Sequence, residues 1–286
     1  MIIGPHLSIA KGLPEAAATA HTLGANAFQF FTRNPRGGAA RTIPAEEIAA
    51  WRKARAEYGI VVAAGHMPYT VNLAAEPGRV ADFARMALRE DIARCGEIGA
   101  EFVIVHPGTN PDVAGGRQHI IDALREAGTG SRDLAAGGPM LLLETMAGQG
   151  HELGSLEDLA FILDAVEQEL AVGVCLDSCH LFAAGYDWRQ DGEIDRFLAD
   201  LERYVGLERV RAMHLNDSKA GVGSHRDRHE LIGQGEIGAE GLRRLLTHPF
   251  LGNLPLLLET PVDEPGQYAG EIKAARAFAG QAGSEV

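Results

Sequence analysis

The residues with the greatest capacity for chemistry lie together between His214 and His229. Three histidines and two aspartates occur within these sixteen residues, and an apolar run, 210–213, leads directly into them. Asp227 and His229 are two positions apart, a spacing that directs both side chains to the same face of an extended backbone. Imidazole nitrogens and carboxylate oxygens are ligands that a zinc-like cation accepts. The stretch therefore predicts part of a metal site where a buried strand gives way to a loop.

Potential metal ligands also end six consecutive apolar runs, and the run before His214 is one of the six. Successive positions are separated by 40, 38, 33, 37 and 45 residues, each close to the length of one strand–helix unit. In an α/β barrel the carboxyl ends of the strands form one face, on which active sites lie. We therefore expect these side chains to converge although they are distant in sequence. They are His66, His106, Glu144, Asp177, His214 and Glu259.

Three further residues extend this set to nine, with five histidines and four carboxylates. His180 follows Asp177 by three residues, in the turn that leaves its strand, while Asp227 and His229 lie in the loop after the next strand. Any one of them alone is more often a hydrogen-bonded or helix-capping residue. Burying so many ionisable groups together is costly, however, unless a charge compensates them. One zinc ion takes about four ligands, so nine are too many for a single site. They suit three sites if one carboxylate bridges two ions. Such a cluster attracts phosphate and activates water, so it predicts metal-assisted phosphoester cleavage.

The elements that must position these residues alternate regularly along the chain. Eight apolar runs predict strands that are buried on both faces, and a helical pattern follows each of them. This alternation predicts an α/β protein, a (β/α)8 TIM barrel, whose usual size of about 250 residues fits the chain of 286. No linker divides the sequence, so we expect a single domain over residues 1–286. The strands are expected at 1–6, 27–31, 60–66, 101–106, 140–144, 172–177, 210–215 and 254–259, and the helices at 14–23, after Pro44, and at 80–98, 119–127, 156–167, 194–205, 239–246 and 266–279.

Composition limits the classes of function. The net charge is −13, with 39 acidic and 26 basic residues, which by itself argues against nucleic-acid binding. The objection weakens if cations neutralise several carboxylates, because bound ions are often the largest charges of a site. No apolar run approaches the roughly 18 residues of a membrane span and no signal pattern opens the chain, so we expect a cytoplasmic protein without a membrane partner. Cys95, Cys175 and Cys179 suit a reducing compartment, and the last two are more readily buried free thiols than metal ligands.

Four segments of the sequence are similar to those of a known family. The most specific are Gly-Val-Cys-Leu-Asp-Ser-Cys-His at 173–180, and His-Leu-Asn-Asp-Ser-Lys at 214–219 with Gly-Ser-His-Arg-Asp-Arg-His at 223–229. His-Met-Pro-Tyr-Thr-Val-Asn at 66–72 and Leu-Glu-Thr-Met-Ala-Gly-Gln-Gly at 143–150 match two further segments. Together they resemble the endonuclease IV family, zinc-dependent apurinic/apyrimidinic (AP) endonucleases of base excision repair. The resemblance covers nearly the whole chain.

The resemblance implies an activity and a metal complement. The activity is hydrolysis of the DNA phosphodiester 5′ to an abasic site, which leaves a 3′-hydroxyl and a 5′-deoxyribose phosphate, together with removal of blocking groups from 3′ ends. Three zinc ions are implied, with Glu144 bridging two of them, and we predict Glu144 and Glu259 to be the catalytic carboxylates. The first ion would be held by His66, His106 and Glu144, the second by Glu144, Asp177, His214 and Glu259, and the third by His180, Asp227 and His229.

Two residues match family positions that contact DNA. Arg36 and Tyr69 correspond to side chains that enter double-stranded DNA at the lesion, where unstacking costs least because a base is already missing. The sequence departs from the family at Gly37 and Gly38, near which a tryptophan is often found, and at Pro68, where some members have serine. The implied partner is duplex DNA with abasic sites or blocked 3′ ends, bound by a monomeric protein.

Two other functions are compatible with a metal-binding barrel. A sugar isomerase or epimerase of the same fold uses one or two divalent ions, and a third site formed by His180, Asp227 and His229 has no obvious purpose there. A catalytically silent DNA- or metal-binding barrel predicts a broken ligand set, whereas none of the nine residues is missing. The residues therefore favour the nuclease.

Overall fold

Eight parallel strands form the centre of the structure. The structure is a computed structural model that describes residues 1–35, 38–130 and 138–281, and at residues 129 and 130 it describes the backbone alone. From the second strand to the eighth, each strand is hydrogen-bonded to the next one in the sequence, and the eighth also pairs with the first. In chain order the strands are Ile3–Pro5, Ala27–Phe31, Val62–His66, Phe102–Val105, Met140–Glu144, Val172–Asp177, Val210–His214 and Leu256–Leu258.

The sheet closes into a barrel between its first and second strands. A parallel bridge joins His6 to Gln29, and the backbone N–H of Leu7 donates to the carbonyl of Gln29 at 2.7 Å. At the other end of this seam, the N–H of Asn26 donates to the carbonyl of Ile3 at 3.1 Å. The (β/α)8 barrel predicted from the sequence is therefore confirmed.

Helices surround the barrel and follow the predicted order. The helix expected at 119–127 is longer than its apolar pattern indicated, because it begins at Val113. The short helix Ser178–Ala184 is not evident from the sequence, since seven residues carry too little periodicity. In the described residues the helices are Leu13–Thr22, Ala45–Glu57, Arg79–Ile98, Val113–Gly130, Leu156–Val166, Ser178–Ala184, Glu193–Tyr204, Gly238–Thr247 and Tyr268–Phe278.

The strands bury both of their faces, which explains why they are apolar throughout. On the second strand, Phe28 and Phe30 point outward, and Phe28 packs edge-on against Trp51 with ring centroids 5.6 Å apart. Ala27, two residues before Gln29, points inward and belongs to a small apolar cluster that fills the barrel below its mouth. The molecule thus has an outer core between sheet and helices and an inner core within the barrel.

Two expectations from composition concern the thiols and membrane insertion. Cys95, Cys175 and Cys179 are buried and free, as predicted for Cys175 and Cys179. Across residues 1–35, 38–130 and 138–281, no helix combines the length and the apolar character needed to cross a membrane.

Candidate metal centre

The six strand-end residues form a polar layer directly above the inner core. Each lies two positions after an apolar residue of that core, and alternate residues of an extended backbone point to the same side. His106 and Glu259 lie one residue beyond their strands and keep this spacing. The inner-core residues are Ala64, Ile104, Leu142, Cys175, Ala212 and Leu257, and the polar residues above them are His66, His106, Glu144, Asp177, His214 and Glu259.

Glu144 lies at the centre of the polar layer and is fully buried. Its Oε2 is 3.1 Å from Nε2 of His66 and 3.2 Å from Nε2 of His106. Its Oε1 is 3.0 Å from Nδ1 of His214 and 3.2 Å from Nδ1 of His180. One carboxylate therefore faces histidines on two sides, the arrangement expected of a group that is shared between ions.

A second group forms on the Oε1 side of Glu144. Nδ1 of His214 lies 3.4 Å from Oε2 of Glu259 and 3.8 Å from Oδ2 of Asp177. Asn216 fixes the carboxylate of Asp177 and the backbone of Glu259, since its Nδ2 donates to Oδ2 of Asp177 at 2.8 Å and its Oδ1 accepts the backbone N–H of Glu259 at 2.9 Å. Ligand atoms of the four ionisable residues, Glu144 included, lie within 4.8 Å of one another.

The third group combines a strand-end helix with the loop after the seventh strand. His180, expected in a turn, is the third residue of helix Ser178–Ala184. Its Nε2 lies 3.2 Å from Oδ1 of Asp227, and Nε2 of His229 lies 3.3 Å from the same oxygen. Within the described residues neither buried nitrogen has a hydrogen-bond partner, because the carboxylate oxygen is not aligned for one. Two unpartnered nitrogens and an oxygen that converge in this way fit a bound cation.

Oxygen acceptors fix which nitrogen of each histidine faces the cluster. Nδ1 of His66 donates to the carbonyl of Met67 at 2.6 Å, and Nδ1 of His180 donates to the carbonyl of Thr145 at 2.9 Å. Nδ1 of His229 donates to a backbone carbonyl at 3.3 Å. Because a carbonyl oxygen can only accept, in the neutral form of each imidazole Nδ1 carries the hydrogen and Nε2 has the lone pair. A lone pair directed into the cluster is what a metal ion requires.

The electrostatics of the cluster also fit a cation. Burial by itself would raise the pKa of Glu144, but His214, His106 and His180 together overcome this effect and the pKa lies well below its usual range. Burial would lower the pKa of His180, yet Asp177 and Asp227 outweigh it and raise the pKa well above 6.5. When no cation is bound, the carboxylates are therefore compensated by protons on histidines. A divalent ion supplies the same compensation in place of these protons.

Cys179 adds a thiol to the edge of this region. Its sulfur lies within 4.8 Å of ligand atoms of Asp177 and His229. Burial raises the pKa of the Cys179 thiol to about 12, and its Sγ–H points to the carbonyl of Arg228 at 3.7 Å. The thiol is therefore held neutral and turned towards the backbone, in keeping with the prediction of a free buried cysteine.

A cavity of about 370 Å³ opens above the polar layer. Tyr69 stands at its rim with 62% of its surface exposed. A larger cavity of about 580 Å³ adjoins it and shares His6 and Phe31 with it. Arg36, predicted to contact DNA, and the neighbouring Gly37 lie outside the described residues.

His6 and Gln29 join the site from the first and second strands. The sequence left open whether His6 reaches the site, and the structure places its Nδ1 3.6 Å from Oε1 of Glu259. Gln29 is completely buried between Glu259, His6 and His214, and it is not among the site residues predicted from the sequence. The available signal was a glutamine at an inward position of a strand that is otherwise apolar.

Comparisons with known proteins agree with this architecture. Residues 17–279 match the model of a family described as xylose isomerase-like TIM barrels. A relative named probable endonuclease 4, from Moorella thermoacetica, is 52% identical over 95% of this chain and 97% of its own length. The crystal structure of endonuclease IV from Thermus thermophilus superposes with a TM-score of 0.86 at 38% identity, covering 99% of this chain and all of that one.

The fold and the family match define the class, that of the xylose isomerase-like TIM barrels. Within this class the chain belongs to the endonuclease IV family, because its relatives of that name align over nearly their full length. It is accordingly a hydrolase, a metal-dependent deoxyribonuclease. A D-tagatose 3-epimerase-like structure, with a TM-score of 0.69 and 20% identity, shares the fold alone.

Proposed function

We propose that this protein is a zinc-dependent AP endonuclease of base excision repair. It hydrolyses the phosphodiester 5′ to abasic sites in duplex DNA, leaving a 3′-hydroxyl and a 5′-deoxyribose phosphate, and it also clears blocked 3′ ends. The observation that carries the proposal is the convergence of nine histidine and carboxylate side chains around Glu144 at the carboxyl-terminal mouth of the barrel.

Three zinc ions account for this set of side chains. Each group offers imidazole nitrogens and carboxylate oxygens, which zinc accepts, and each has about three or four of them. The two unpartnered nitrogens of the third group support an ion there as well. His66, His106 and Glu144 hold the first ion, Glu144, Asp177, His214 and Glu259 the second, and His180, Asp227 and His229 the third.

Zinc in such a site supplies Lewis-acid stabilisation of charge on phosphate and makes water nucleophilic near neutral pH. The protein's own contribution is to orient the groups around the scissile phosphate. Glu144 and Glu259 are the catalytic carboxylates. Glu259 lines the cavity with its carboxylate held from below, since Gln29 donates to its Oε1 at 2.7 Å. Glu144 is held on both sides, because each of its two oxygens faces histidines.

DNA binding occurs across the mouth of the barrel. Tyr69, exposed beside the cavity, enters the duplex at the lesion, and Arg36 acts with it by resemblance to the family. The abasic nucleotide turns out of the stack into the cavity, at a low cost because no base has to be unpaired. Three divalent ions make the mouth locally positive, which offsets the net charge of −13.

Three properties of the molecule complete the proposal. We infer that residues 1–286 form one domain, that the protein is a monomer, and that it works in the cytoplasm. The buried free thiols of Cys95, Cys175 and Cys179 are compatible with a reducing compartment. Size-exclusion chromatography with light scattering tests the oligomeric state, and a mass of twice 30.5 kDa would contradict it.

A nicking assay on a duplex with one abasic site tests the function. We expect a single cut 5′ to the abasic site by protein that carries three zinc ions, loss of cutting after a chelator, and recovery when zinc is restored. The matched control is the same duplex with an intact base. A protein that carries one ion, leaves this DNA uncut and epimerises a ketose would instead be the sugar epimerase that shares this fold.

A further inference from the structure

Gln29 differs from the other groups that hold the histidines of the site. His66, His180 and His229 each donate a hydrogen bond from Nδ1 to a backbone carbonyl, whose position is fixed by the fold. His214 instead donates from Nε2 to a side chain, Oε1 of Gln29, at 2.9 Å. This contact is therefore one that a substitution can remove without changing the backbone.

The orientation of the Gln29 amide follows from its second partner. Its Nε2 lies 2.7 Å from Oε1 of Glu259, and a carboxylate oxygen can only accept, so the amide nitrogen must be on that side. The same nitrogen lies 3.1 Å from Nδ1 of His6. The amide oxygen consequently faces His214, and the hydrogen between them must belong to Nε2 of His214.

The consequence is that Nδ1 of the neutral His214 ring carries no hydrogen, so its lone pair is available to a metal ion. This nitrogen is the one that faces Glu144 at 3.0 Å and Glu259 at 3.4 Å. The opposite orientation of the amide would bring its oxygen against the carboxylate of Glu259 and its N–H₂ against His214. In that case Nε2 would have to accept and Nδ1 would carry the hydrogen, which excludes a metal ion there.

We propose that Gln29 is a positioning residue for the second metal ion, which it serves by selecting the tautomer of His214 and aiming the carboxylate of Glu259. Its side chain is completely buried, and it makes both contacts from the middle of the second strand at the seam of the barrel. The inference rests on the proposed zinc sites, because His214 and Glu259 are assigned there as ligands. Groups that orient metal ligands in this way typically contribute about 10- to 100-fold to metal affinity or activity.

The test uses two substitutions that remove different contacts. Gln29→Met keeps the length of the side chain and loses both hydrogen bonds. Gln29→Glu keeps an acceptor for His214 but places a carboxylate against Glu259, which repels it. We expect both variants to bind their weakest zinc ion about 10- to 100-fold less tightly in competition with a chelating indicator.

Nitrogen-15 spectra of the histidines in the zinc-loaded proteins provide a readout that is independent of activity. In the wild-type protein we expect a slowly exchanging proton on Nε2 of His214. In Gln29→Met this proton loses its acceptor, so its signal shifts upfield and exchanges faster, whereas in Gln29→Glu it is retained. A lower zinc affinity with an unchanged His214 signal in Gln29→Met would overturn the proposal, since packing alone would then explain the loss.

The control is Asn26→Ala, at the opposite end of the same seam. Asn26 accepts the backbone N–H of Ile3 at 2.9 Å and touches no residue of the site, so its loss should lower the melting temperature and leave zinc affinity unchanged. Equal zinc affinity of wild type, Gln29→Met and Gln29→Glu would overturn the inference, as would an equal loss in Asn26→Ala. If Gln29→Met does not fold, the zinc affinity of Gln29→Glu tests the inference by itself. Failure of the wild-type protein to bind zinc or to nick would instead refute the proposed function.

Discussion

Asp227 has the most exposed side chain of the nine candidate ligands. It is on the loop after the seventh strand, and about a third of its side chain is exposed. The loop is tied down on both sides of it, since His225 bonds the carbonyl of Ala147 through Nδ1 at 2.9 Å and the N–H of Lys219 donates to the carbonyl of Arg228 at 2.8 Å. The third group thus depends on a single carboxylate that can be changed without disturbing a strand.

Asp227→Ala should empty the third metal site and leave the barrel folded. We expect the loss of one zinc ion and a fall in nicking on the order of 100-fold or more, because losing a ligand exceeds the usual cost of losing a group that orients one. Metal analysis and the single-lesion nicking assay measure the two effects.

Asp195→Ala is the matched control, because Asp195 is exposed in the first turn of helix Glu193–Tyr204, away from the site. Its zinc content and activity should equal those of the wild type. Three zinc ions and full activity in Asp227→Ala would show that the loop does not hold an ion.

At the scale of the element, one strand and one helix meet at a single residue. Asp177 ends the sixth strand and also caps helix Ser178–Ala184, since its Oδ1 accepts the backbone N–H of His180 at 2.7 Å. This cap joins two groups of the site, because Asp177 belongs to the second and His180 to the third. The expectation of a turn at this point was wrong for a physical reason: a capping aspartate starts the helix without any intervening loop.

The helix Leu156–Val166 offers a cap that can be tested without touching the site. Oγ of Ser155 accepts the N–H of Asp158 at 3.1 Å, and the carboxylate of Asp158 accepts the N–H of Ser155 at 3.1 Å. Ser155→Ala should lower the free energy of unfolding by about 1 kcal/mol in chemical denaturation, because it leaves a helix-end N–H without its acceptor.

Ser155→Thr keeps a capping hydroxyl and should lie much closer to the wild type. Zinc content should be the same in all three proteins. A stability of Ser155→Ala equal to that of the wild type would mean that water replaces the cap.

At the scale of the whole molecule, the acidic excess and the metal centre are parts of the same balance. The chain has 39 acidic and 26 basic residues, and four of the carboxylates meet at the mouth of the barrel. In the zinc-free protein Asp177, Asp227 and Glu144 raise the pKa of His180 well above 6.5, against the opposing effect of burial. His180 consequently holds a proton at neutral pH that a metal ion must displace.

Zinc uptake should therefore release protons, and zinc affinity should fall as the pH is lowered. The sign follows from the raised pKa of His180 in the zinc-free state: below this pKa the proton competes with zinc, and above it the competition disappears. Each proton released changes the affinity by about tenfold per pH unit. Calorimetric titration in buffers of different ionisation enthalpy counts these protons near pH 7, and an uptake without proton release would contradict the argument.

Much of the site was predictable because barrel geometry is periodic. His66, Glu144 and Asp177 each end an apolar run, and the repeat of the strand–helix unit indicates that they meet. The contacts of Gln29 and Asn216 were not predictable, because an amide's partners depend on distances between strands that the sequence does not contain. The choice of nitrogen on His214 was beyond the sequence for the same reason.

The seam between the first and second strands has a consequence for how the protein is made. Gln29 and Glu259 are 230 residues apart, and their contact exists only when the eighth strand has joined the first. A nascent chain that has emerged as far as residue 250 already contains eight of the nine candidate ligands, but it lacks this contact. Tight binding of the second zinc ion would then begin only once the ring of strands is complete, so loading of that ion would mark the end of folding during synthesis.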